Sequence, residues 1–143
     1  MGLHDQDFYA WANEQAALLR ARNMDAADID NIAEEIASMG RSEKRELISR
    51  LAVLLLHLLK WQLQPERQCK SWRLSVEEQR RKLQRHLADN PSLNSKLEEV
   101  IGAAYGDAVL DAKRETDLEE GVFLDSCPWV FDQIMDASFW PEG

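Results

Sequence analysis

The chain reads as an all-α protein, a single compact bundle of five to six helices around a central apolar helix at about residues 42–63. Three observations predict this. Ala, Leu, Glu, Arg and Gln dominate, whereas Pro occurs four times and Gly six times across 143 residues, a balance that favours helix over strand. Apolar residues recur at spacings of three and four, and no alternation of period two extends beyond a few residues. The stretch Leu51–Leu56 is continuously apolar inside a helical pattern, so that helix must be covered on most of its surface.

The elements follow in order. Asp5 or Asp7 can cap a first helix to about Ala21, with Phe8, Trp11, Ala12, Leu18 and Leu19 on its apolar side. Arg22-Asn23 ends it. A second helix opens at Asp25 with acidic residues in its first turns, where the helix dipole favours them. Its buried stripe is Ile29, Ile32, Ala33, Ile36 and Met39, and Gly40 is expected as its left-handed C-cap. Ser42 would then cap the third, central helix, folding the two into a hairpin. Leu47, Leu51, Leu54, Leu55, Leu58 and Leu59 face the core, with Val53 and Leu56 touching further neighbours, and Pro65 forces the stop. A short linker leads to a fourth, arginine-rich helix from about Trp72 or Ser75 to Ala88, where Ser75 and Glu78 have capping-box spacing. Asn90-Pro91 starts a fifth helix to about Glu115. On it Gly102 and Gly106 form a small face suited to close approach by a neighbour. In the tail, Ser126 and Pro128 open a short helix, and Phe131, Ile134, Phe139 and Trp140 dock it onto the body. One domain over residues 1–143 is expected.

Composition narrows the function. The formal net charge is −9, which confers no general attraction to nucleic acid or anionic membrane. The charge is uneven: residues 60–85 carry eight Lys/Arg against three Asp/Glu, and the rest carries nine against 23. No signal peptide or membrane-length apolar run is visible, so a cytoplasmic location is expected. Cys69 and Cys127 belong to no CxxC or Cys/His cluster and read as two reduced thiols. There is no GxSxG, P-loop or GxGxxG motif, and no HExxH or ExxH metal spacing. No catalytic residue, metal or cofactor is assigned.

Two groups of residues stand out. The central helix has one narrow polar sector holding Ser49, Arg50, His57 and Lys60. Across the expected hairpin, Glu35 could meet Arg45, Arg50 or His57. Glu35, Arg50 and His57 therefore form a candidate polar cluster, either a structural contact that sets helix register or the start of a general-base or metal site; the structural reading carries more weight. His4, near a loose terminus, and His86, on the basic helix, offer no obvious third ligand. The second group is a basic face interleaved with aromatics: Trp61, Arg73, Arg80, Arg81 and Arg85. Arg and Trp together can hold a phosphate backbone and stack bases. The acidic balance elsewhere favours instead a solvated face paired with acidic helices.

The runs DQDFYAWANEQAALLRARN, DIDNIAEEIASMGRSEKREL, LLHLLKWQLQPERQCKSW, QRRKLQRHLADNPSL and CPWVFDQIMDASFWP resemble the bacterial domain of unknown function 29 family over nearly the whole chain. The resemblance rests on Asp7, Phe8, Trp11, Glu34, Glu35, Gly40, His57, Trp61, Trp72 and Trp140. It implies an all-α fold and a small stand-alone bacterial protein, and it brings no catalytic residues. The leading expectation is a helical interaction or regulatory domain without catalysis, with a protein partner or self-association. A nucleic-acid-associated protein using residues 60–85 is one alternative. A metal-dependent or hydrolytic enzyme near Glu35 and His57 is another. No membrane partner is expected.

Overall fold

The computed structural model describes residues 2–142. Among them every regular element is helical: α1 (Leu3–Gln6), α2 (Phe8–Arg20), α3 (Ile29–Leu63), α4 (Lys70–Asp89), α5 (Leu97–Glu115) and α6 (Phe131–Met135). Short 3-10 turns occupy Pro65–Arg67, Pro91–Lys96 and Glu120–Val122. The all-α class read from composition and periodicity is the one observed. By its internal contacts the chain divides into two compact units, Met1–Ser42 and Glu43–Gly143.

In the first unit, Asp7 caps α2 by accepting a hydrogen bond from the Ala10 amide at 3.0 Å. The helix closes at Arg22, whose positive φ of 61° turns the chain left-handed, and the Asn23 amide reaches back to the Leu18 carbonyl. Trp11 is the buried anchor, and its indole donates to the Asp28 carboxylate at 3.0 Å. Asp28 also accepts from the Asn31 side chain at 2.8 Å, and its own amide donates to Gln15 at 2.7 Å. These donors, Asn31 first and then Trp11, hold the Asp28 carboxyl below its ordinary range.

The expected hairpin does not occur. Gly40 lies inside α3, which runs unbroken from Ile29 to Leu63, and no glycine among the described residues has a positive φ. The reason is energetic. A glycine inside a helix costs only about 1 kcal/mol relative to alanine, and good helix formers flank it on both sides. Breaking the helix there would sacrifice several backbone hydrogen bonds. Ser42 is accordingly an interior residue and not a cap. Ser75 is likewise inside α4, whose N-cap, Cys69, lies six residues before the one its capping-box spacing suggested.

The second unit holds the main core. Leu47, Leu51, Leu54, Leu55 and Leu58 are fully buried, joined by Val76 and Leu83 of α4, Val100, Ala104 and Ala108 of α5, and Ile134 of α6. Leu56 is buried as expected, but Val53 is exposed. On α5 the small inward face is Ala104, Ala108 and Ala112. Gly102 and Gly106, expected to admit a neighbour, are instead exposed, with nothing near the space above them. The tail docks as its aromatics suggested: Ile134 is buried, and Phe131, Phe139 and Trp140 pack on the core.

Candidate functional site

The residues singled out from the sequence have separate partners. Glu35 accepts a 2.7 Å hydrogen bond from His4 Nε2, within the first unit. This bond is the leading cause that raises the His4 pKa, against the lowering effect of burial. The Arg45, Arg50 and His57 partners foreseen for Glu35 depended on a hairpin that α3 does not form. Arg50 donates through Nε and a terminal nitrogen to Glu46, at 3.2 and 2.7 Å. His57 Nδ1 donates to the Val53 carbonyl one turn back, at 2.8 Å. Glu35, Arg50 and His57 thus share no hydrogen bond or ion pair among the described residues.

The basic face is also reassigned in part. Arg80 is only 7% exposed. Its Nε donates to the Ile134 carbonyl and a terminal nitrogen to the Phe139 carbonyl, both at 2.8 Å, and the guanidinium lies 5.3 Å from the Trp140 ring centroid. Arg80 ties the tail down. Burial lowers its pKa, with Asp136 and Glu77 opposing that. Trp61 packs against Trp140, with ring centroids 4.6 Å apart and planes tilted by 43°, and so helps seat the tail. Lys60, placed in the polar sector, is buried, pairs with Glu115 at 2.8 Å and lies 5.3 Å from the Trp72 ring. Arg73, Arg81 and Arg85 remain exposed.

The polar constellation that does form lies wholly in the second unit, between the first turns of its part of α3 and the last turns of α4. A cavity of about 380 Å³ is lined by Glu43, Glu46 and Arg50 on one side and by Lys82, Arg85, His86 and Asp89 on the other. His86 is only 8% exposed. Its Nε2 donates to the Glu43 backbone carbonyl at 2.8 Å, which fixes the ring. Nδ1 then faces Glu46 Oε2 at 3.4 Å, and Glu43 Oε2 lies 3.6 Å from Nε2. Glu43, Glu46 and His86 offer ligand-type atoms all within 4.8 Å of one another. Arg50 takes only Oε1 of Glu46 and, through that hydrogen bond, holds the carboxyl below its ordinary value, with burial pulling the other way. Lys82 is engaged by Glu78 at 2.6 Å.

A grouping of two carboxylates and an imidazole that the sequence reading did not single out occurs at Glu43, Glu46 and His86. A signal existed in the sequence. Glu43 and Glu46 are three apart and share a helix face. His86, set aside because its helix is basic, faces inward while its arginine neighbours Arg81 and Arg85 face solvent.

An all-α protein with a mixed-charge interhelical cavity, and no motif of a known catalytic class, is what fold and site define. The sequence profile described as domain of unknown function DUF29 matches residues 3–140. The chain belongs to that family, as the resemblance indicated. No curated protein matches it. No solved structure matches it either. No helix among the described residues is long and apolar enough to cross a membrane.

Proposed function

We propose that the protein is a cytoplasmic interaction domain that acts by self-association and carries no catalysis of its own. One observation carries this reading. The stripe Ile29, Ile32, Ile36 and Met39, patterned like a core face, is largely uncovered: Ile29 is 49% exposed, Ile36 64% and Met39 68%. Its 3-4-3 spacing is that of a coiled-coil seam, where two helices interlock. Ala33 and Gly40, both small, flank the stripe and leave room for a second helix. A second copy presents the same face, and a two-fold pairing is the commonest way to cover it. Cys69 and Cys127 are not joined, which accords with a reducing compartment.

Light scattering of the full chain over a range of concentrations tests this. The expected mass is twice 16.5 kDa, falling to one copy in the double variant Ile36→Glu/Met39→Glu with its helical circular dichroism unchanged. A monomer at every concentration, or a dimer indifferent to those substitutions, would refute the reading.

A further inference from the structure

The geometry points to a binding site for a divalent first-row transition cation at Glu43, Glu46 and His86. The argument starts from His86. It is more than nine-tenths buried, and its Nδ1 makes no hydrogen bond. The 3.4 Å from Nδ1 to Glu46 Oε2 is longer than a good hydrogen bond. It matches the separation of two donors on one tetrahedral ion: bonds of about 2.0–2.2 Å place them about 3.4 Å apart. The other ring nitrogen donates to a backbone carbonyl, the arrangement that holds metal-binding imidazoles in the tautomer with a lone pair toward the ion. Glu46 is prepared in the same way. Arg50 occupies Oε1 and leaves Oε2 toward His86. Glu43 is exposed, and its side chain makes no hydrogen bond. Its Oε2 now lies 3.6 Å from Nε2 and must turn toward the Nδ1 side to serve as the third ligand, within a group whose ligand-type atoms all lie within 4.8 Å of one another.

Two carboxylate oxygens and one imidazole nitrogen suit Zn²⁺, Mn²⁺ or Fe²⁺ better than Cu⁺, which prefers sulfur. With three protein donors, the remaining positions open onto the cavity. The rim carries Arg50, Lys82 and Arg85 against Glu43, Glu46 and Asp89. The general field is thus balanced, and affinity must come from the ligand atoms themselves.

Titration calorimetry with Zn²⁺ alone, on tag-free full chain, tests the site. One equivalent is expected to bind. Glu43→Gln, an exposed change that breaks no other contact, should weaken binding by at least about 10-fold, the lower bound seen even for loss of a supporting residue. Glu46→Gln and His86→Gln should do the same. His4→Gln, which removes the other carboxylate–imidazole contact, should leave binding unchanged. Absence of binding, or binding that survives Glu43→Gln, would overturn the proposal, whether or not the buried His86 variant folds.

Discussion

At the scale of single residues, two side chains carry roles that their neighbours assign. His4 is tied to Glu35, and protonation strengthens that bond, so its pKa is raised above the ordinary 6.5. The folded form then binds the proton more tightly than the unfolded chain does, and the contribution to stability is complete below pH 6.5 and is lost as pH rises through the raised value. The His4 ring protons, followed by NMR, should titrate above 6.5 in the native chain and return toward it in Glu35→Gln. Arg80 is the second case. Its two bonds to the Ile134 and Phe139 carbonyls are charge-assisted. Replacing it by Met keeps volume and removes both, leaving the carbonyls unpaired. Arg80→Met should cost about 2–3 kcal/mol, within the range of one to two such bonds. Urea denaturation monitored by tryptophan fluorescence should show it, because Trp140 sits against the lost guanidinium.

Helix α3 shows how an element overrides its weakest residue. Read alone, Gly40 followed by Ser42 is a stop and a restart. In the structure the helix continues through both. The two conformations make opposite predictions for Gly40→Ala. In a left-handed cap, alanine would be strained. Inside a helix with open space around the position, it should stabilise by about 0.4–1 kcal/mol by restricting the unfolded chain. A rise in thermal midpoint would show it. On α5 a comparable inversion holds. Glycines suggested close packing, yet Ala104, Ala108 and Ala112 line the buried face, since a buried alanine keeps the small profile without glycine's entropic cost.

Over the molecule as a whole, each unit has its own packing centre. The second unit rests on the leucines of α3, and Leu55 is fully buried among them. Leu55→Ala should destabilise it by about 2–5 kcal/mol, the cost of lost transfer energy plus a cavity. Hydrogen exchange should report the loss in α4 and α5. The first unit is small and leaves Ile36 and Met39 in water.

What the sequence determined by itself is the class of fold, the identity of the core helix, the docking of the aromatic tail and the family. All of these depend on periodicity, composition and local order, which survive without coordinates. Tertiary structure alone decided which polar groups meet. Glu35 met His4 across 31 residues, Arg80 turned inward to tail carbonyls, and Glu46 met His86 across two helices. Hydrophobic burial obeys a pattern along one helix, but a polar contact requires two elements at one angle and register, and no single stretch of sequence encodes that.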